Sequence, residues 1–185
     1  MKERCAWSTS DPLYLEYHDK EWGVPLHDDQ RLFEFLLLDG AQAGLSWFLI
    51  LKKRENYRKA FQKFDARKMI RFDKKKIESL LQDPGIIRNR LKINSTISNA
   101  IAFLQVKKEF GSFDNYVWQF VGGKPIKRKR GQPVTPTTAL SDALSKDLAK
   151  RGFRFVGSTI CYSFMQAVGL VNDHNPSCFR YNQIK

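Results

Sequence analysis

His174 and Cys178 stand four residues apart in LVNDHNPSCFRY, near the end of the 185-residue chain. Cys5 and His18 stand near its start, in MKERCAWSTSDPLYLEYHDKEWG. The chain has only three Cys and three His, so four of the six lie at the two extremities, as two Cys/His pairs. Thiols and imidazoles are metal ligands, and they are equally ordinary core or surface side chains. The other two read as the ordinary kind: Cys161 lies in an apolar helix, and His27 reads as a surface residue. Three Cys is an odd number, which argues against a disulfide framework.

A second constellation is aromatic. Trp7, Trp22 and Trp47 are three of the four Trp, and Tyr17 adjoins His18. Core packing is the plain reading, yet EYHDKEWGVP and AGLSW are short segments among polar and Gly residues. A pocket that grips a flat base uses aromatic faces and a few polar groups to read its edge. Asp39 is the candidate polar group. It ends an apolar helix, where a negative charge opposes the helix dipole, so helix stability explains it poorly; a solvated loop Asp is the alternative. In QAGLSW, Gly44 permits an unusual backbone and Leu45 is apolar at a predicted bend. An enzyme that extrudes a nucleotide fills the gap with an apolar wedge. A surface Leu packing on its own helix has the same sequence.

The elements that must position these residues read as helices. SDPLYLEYH offers Asp11 as N-cap and Pro12 at the first helical position. DDQRLFEFLLLDGAQAG is apolar on nearly all faces, which predicts a central helix. SWFLILKKRENYRKAF starts at a Ser cap and splits into apolar and basic sides. DARKMIRF and DKKKIESLL each begin at an Asp cap, and GIIRNRLKINSTISNAIAFLQVKKEFG reads as one long helix ended by Gly111. SFDNYVWQFV is shorter and aromatic, and a Gly/Pro/Thr-rich loop follows over 122–138. LAKRGFRFVGSTICYSFMQAVG then reads as helix, tight turn, helix. Ser158 and Thr159 are candidate caps there, and Gly157 a candidate for positive φ. Such a turn presents N–H groups to a phosphate, and Arg151 and Arg154 beside it favour that role. The class is all-α.

Apolar residues make up 42% of the chain, enough for a core. No apolar run approaches the roughly 20 residues of a membrane helix, and the first residues lack the apolar stretch of a signal peptide; the expected location is cytoplasmic. The 32 basic residues outnumber 19 acidic ones, a formal charge of +13. Clusters at 51–59, 74–76, 88–92 and 127–130 point to a polyanion such as nucleic acid.

Taken together, CAWSTSDPLYLEYHDKEWGVP, QAGLSWFLILKKRENYRKAF, DPGIIRNRLKI, SDALSKDLAKRGFRFVGSTICYSFMQAVGLVNDH and the terminal Cys178 strongly resemble the bacterial 3-methyladenine DNA glycosylase I family. The resemblance spans nearly the whole chain apart from the 122–138 loop and the last few residues. It implies an all-α helix–hairpin–helix glycosylase fold, one structural zinc, and excision of 3-methyladenine from alkylated double-stranded DNA. By position, Cys5, His18, His174 and Cys178 match the family's zinc ligands, as Cys-x12-His and His-x3-Cys. Tyr17, Trp47 and Asp39 match base-pocket positions, with Trp7 and Trp22 nearby, and Asp39 is the expected catalytic carboxylate. Gly44 and Leu45 match the part that enters the DNA stack. Phe155, Val156, Gly157, Ser158 and Thr159 match the phosphate-binding hairpin. The family usually carries Glu where this chain has Asp39, one C–C bond shorter.

The expected enzyme is a monomeric, monofunctional glycosylase. STICYSFMQAVG contains no Lys for a Schiff base, and Asp173, next to His174, reads as a support or cap for that ligand. Two lobes are expected: a helical core over 28–170, and a zinc-clipped lobe from 1–27 and 171–185. The competing readings are a non-catalytic zinc-clipped DNA-binding module and a glycosylase for a different alkylated base.

Overall fold

The computed structural model describes residues 2–184 apart from Thr9. The chain is predominantly helical: α1 (Pro12–Lys20), α2 (Asp29–Gln42), α3 (Trp47–Ala60), α4 (Ala66–Met69), α5 (Lys74–Gln82), α6 (Arg90–Phe110), α7 (Phe113–Trp118), α8 (Ala139–Lys150) and α9 (Ser158–Ala167). Two short strands, β1 (Ile126–Lys127) and β2 (Val171–Asn172), pair in parallel. No helix among the described residues is long and apolar enough to cross a membrane.

Short polar caps start most of these helices. The carboxylates of Asp11, Asp28, Asp65 and Asp73, the Asn89 amide oxygen and the Ser46 and Ser112 hydroxyls each accept a backbone N–H of the first turn. Thr138 and Ser141 cap α8 reciprocally. As its apolar faces require, α2 is central: every residue from Leu32 to Ala41 is buried, and the helix packs against α3, α6, α7 and α9.

Three local expectations change. The long helix begins at Arg90, not at Gly85. Asp83 accepts the Gly85 N–H at 2.7 Å, the Tyr57 hydroxyl accepts the Ile87 N–H at 3.1 Å, and Asn89 caps the true start. In the α8–α9 turn, Gly157 is itself the N-cap, with φ −59, and positive φ falls at Gly152 and Phe155 instead. Ser158 is the first helical residue, and its hydroxyl bonds to Ser141 and Asp142 rather than capping. Finally, the 122–138 segment is not wholly loop, because β1 ties it to the C-terminal segment.

The N-terminal segment returns over the end of α9. Gly23 N–H donates to the Gln166 carbonyl at 3.0 Å, and Leu26 N–H to the Val168 carbonyl at 3.1 Å. Gly169, at φ +76, allows this approach, since a Cβ there would overlap the Val24–Pro25 peptide. Gly169→Ala is therefore expected to cost at least about 2 kcal/mol, read by urea denaturation. Stability within about 0.5 kcal/mol of the parent, the range of a neutral surface change, would contradict the close packing.

Candidate functional site

The two ends of the chain meet at the Cys/His pairs. One ligating atom from each of Cys5, His18, His174 and Cys178 lies within 4.8 Å of all the others, and all four residues are buried. Cys5 Sγ and Cys178 Sγ each stand 3.5 Å from His174 Nδ1, and Cys178 Sγ stands 3.5 Å from His18 Nε2. A tetrahedral ion with bonds of about 2.3 Å to sulfur and 2.0–2.1 Å to nitrogen sets S···N at about 3.5 Å, so the spacing fits such an ion.

The outward nitrogens are also accounted for. His18 Nδ1–H donates to Asp19 at 2.8 Å, and His174 Nε2–H donates to the Trp22 carbonyl at 3.1 Å. Both rings thus turn a lone pair toward the cluster. The hydrogen bond from Arg4 is the main cause that holds the Asp19 carboxyl down at about 2, so it stays ionised beside His18. Burial pushes the Cys5 thiol up to about 12 and the His174 imidazole down to about 4. A divalent ion would therefore have to displace the Cys5 thiol proton, but would find the His174 imidazole already neutral.

Beside this cluster is an aromatic cavity of about 230 Å³. Its lining includes Trp7, Tyr14, Tyr17, Trp22, Asp39 and Trp47. Trp7 meets Trp22 edge-on at 4.8 Å between centroids, and Tyr17 meets Trp47 at 5.4 Å. The same Trp rings touch the Cys/His cluster: Trp7 lies 5.3 Å from the His18 ring and Trp22 lies 4.6 Å from the His174 ring. Asp39 is only 1% exposed. Its Oδ2 and the Trp47 Nε1–H are buried without a hydrogen-bond partner among the described residues. Orphaned buried polar atoms are costly. Here one acceptor and one donor line the same cavity.

The cavity also takes residues that sequence reasoning missed: Tyr14, Gln42, Val134, Ser163 and Gln166. Tyr14 and Gln42 lie beside residues already singled out. Val134 carries no local signal, because only the fold of the 122–138 segment brings it there. That segment is anchored by Arg128, whose guanidinium pairs with Asp173 at 2.6 Å and donates to the Asp173 and His174 carbonyls. Asp173 neither caps a helix nor reaches the His174 ring; it accepts from Tyr162 at 3.0 Å and Gln166 at 2.6 Å and lines the cavity.

Several basic residues are engaged inside the fold. Arg54 pairs with Glu21, Arg58 with Glu34 and Glu55, and Arg90 with Glu78. Arg151, expected beside the α8–α9 turn as an anion ligand, is held by Asp147 and Glu109 and lies against the Phe110 ring. Arg154 is exposed, with no side-chain partner among the described residues. On the opposite side of Asp39 in the chain, Gly44 takes φ +77, and Leu45 follows it, 38% exposed.

The methyladenine glycosylase family profile matches residues 7–181. The chain belongs to this family. It is 54% identical over 181 residues to DNA-3-methyladenine glycosylase 1 of Escherichia coli K12, covering 97% of each chain. A crystal structure of a 3-methyladenine DNA glycosylase I superposes with a TM-score of 0.93 at 52% identity, covering 96% of this chain and 98% of that one. The Staphylococcus aureus 3-methyladenine DNA glycosylase I, solved to explain 3-methyladenine recognition, gives 0.93 at 37% identity, covering 96% of each.

For a methyladenine glycosylase, a carboxyl group buried in the wall of the cavity has a thermodynamic signature. Burial raises the Asp39 pKa well above its ordinary 3.8. Between those two values the folded state keeps a proton that the unfolded chain has lost, so Asp39 weakens stability as pH rises. Asp39→Asn lacks this titration. Its melting temperature is expected to gain on the parent's as pH rises from 4 to 8, by about 2–4 °C per kcal/mol relieved. A pH-independent difference between the two would show that Asp39 is solvated.

Proposed function

We propose that this chain is a DNA repair glycosylase that excises N3-methyladenine from alkylated duplex DNA and leaves an abasic site. The observation that carries this reading is the aromatic cavity with one orphaned acceptor, Asp39 Oδ2, and one orphaned donor, Trp47 Nε1. An adenine edge offers the complement: an amino donor next to a ring-nitrogen acceptor. Membership of the family and its relatives' named activity support the same substrate.

Methylation at N3 leaves the base cationic while it is attached to the sugar. Stacking of a cation on Trp and Tyr faces is worth roughly 0.5–2 kcal/mol per contact. The arriving positive charge also favours ionisation of Asp39, which then accepts a charge-assisted bond from the exocyclic amine. The C1′–N9 bond breaks, its electron pair neutralises the purine, and water adds at C1′ with loss of a proton. Normal purines lack both the charge and the weakened bond.

In this reading Leu45, carried by Gly44, fills the vacated stack. The α8–α9 turn over Phe155, Val156, Gly157, Ser158 and Thr159 forms a helix–hairpin–helix and holds a phosphate through backbone N–H groups. Cys5, His18, His174 and Cys178 hold one structural zinc; four protein ligands complete a tetrahedral shell and leave no site for a reacting water. That ion clips 1–27 and 171–185 into a lobe against the 28–170 core. The enzyme acts as a cytoplasmic monomer, and α9, which has no Lys, supports glycosylase action without strand cleavage. A purely DNA-binding module would leave the orphaned pair without a purpose.

Incubation with methylated duplex DNA, followed by chromatography of the released bases, tests the reading. The expected product is free 3-methyladenine, from strands that break only on alkali treatment. Asp39→Asn should slow excision roughly ten- to hundredfold through loss of a charge-assisted bond. Release of no base, or a borohydride-trapped protein–DNA adduct, would contradict the assignment.

A further inference from the structure

Lys92 belongs to the basic run RNRLK, whose sequence suggests phosphate contact, but its ammonium is engaged within the fold. Its backbone N–H donates to the Asn89 cap at 3.0 Å, which roots the residue in the first turn of α6. Its Nζ then donates to the Ala41 carbonyl at 2.8 Å and the Ala43 carbonyl at 2.6 Å. Those carbonyls lie at the end of α2, where carbonyls run out of helical partners. The Gln42 carbonyl between them accepts the Leu45 N–H at 2.6 Å. Three successive carbonyls are thus pinned immediately before Gly44 and Leu45.

The turn has little else to hold it. A Cβ built on Gly44 would meet nothing within 4 Å, so this Gly serves its φ of +77 and not a close contact. Leu45 is 38% exposed. The body of α2, by contrast, is buried from Leu32 to Ala41 and does not depend on one capping ammonium. The last turn of α2 also touches the hairpin, since Gly40 packs against Phe155.

We propose that Lys92 is a positioning residue for base extrusion: by clamping the Ala41 and Ala43 carbonyls it aims the Gly44–Leu45 turn at the DNA stack. The proposal rests on the reading of Leu45 as a wedge. Lys92 acts through Leu45, not on the base and not primarily on a phosphate.

A double-mutant cycle tests it, with Lys92→Met, Leu45→Ala and the pair compared in single-turnover excision from duplex DNA containing 3-methyladenine. Lys92→Met is expected to slow excision roughly ten- to hundredfold, the cost of a misaimed group. Binding of free 3-methyladenine should stay within about twofold, and the melting temperature should stay near the parent's. Lys92→Arg, which can still donate to both carbonyls, should recover most of the loss. In the Leu45→Ala background, Lys92→Met should add little, because coupled residues are non-additive. Fully additive losses would overturn the role of Lys92, as would a parallel loss of free-base binding. A shallower salt dependence on undamaged duplex in Lys92→Met would also overturn it, by revealing a phosphate contact. Normal duplex excision by Leu45→Ala alone would sink the wedge reading and the role of Lys92 with it.

Discussion

Tyr17 and His18 are consecutive residues of α1, a helix of nine residues. Helices this short are not stable alone, so the direction of α1 depends on what its buried side chains meet. His18 meets Cys178 and the His174 ring, which come from the other end of the chain. Tyr17 meets Trp47 across the cavity. The closure of the two termini and the wall of the cavity are therefore one packing unit. Trp7 and Trp22 complete it, since each touches the other, lines the cavity and abuts an imidazole of the cluster. A site otherwise built on α2, α3 and α9 acquires Trp7, Tyr14, Tyr17 and Trp22 from a segment held both by the Cys/His closure and by backbone bonds to the end of α9.

The opposite wall stores the chemistry. Asp39 sits in the last turn of the most buried helix, where burial and the helix dipole both oppose a negative charge. Fold stability does not ask for a carboxylate there. A cationic ligand does, because it offsets the cost of ionising the group. Within the proposed function, a cationic base satisfies this pocket better than a neutral one, which links selectivity to the desolvation of a single side chain. The Arg128–Asp173 pair acts differently: it closes as an ion pair at 2.6 Å within the fold and anchors the 122–138 segment beside His174.

Much of this was legible in the residues. Asp11, Ser46, Asp65 and Asp73 marked helix starts because their side chains act locally, and the all-apolar faces of α2 announced its central place. The pairing of Cys5 and His18 with His174 and Cys178 was visible as residue types but was assigned only through family resemblance, since no local rule joins residues so far apart. Long-range pairing also explains the misses. Arg151 and Arg54 look like phosphate ligands until Glu109, Asp147 and Glu21 arrive from other helices. Ile87 loses its helical reading to the Tyr57 hydroxyl. Lys92 reads as one more exposed cation until α2 ends against it. Three successive residues with positive φ, Gln62, Lys63 and Phe64, contain no Gly and so carry no sequence signal.

The central claim is that the Cys/His closure holds the base-binding wall, and it is tested by measuring 3-methyladenine binding through tryptophan fluorescence as the proposed zinc is removed and restored. One zinc per chain is expected. After chelation, the far-ultraviolet circular dichroism of the helical core should persist while the base binds at least about tenfold more weakly, a change of about 1.4 kcal/mol. Added zinc should restore affinity. Unchanged affinity in metal-free, folded protein, or purified protein that carries no zinc and binds the base fully, would contradict it.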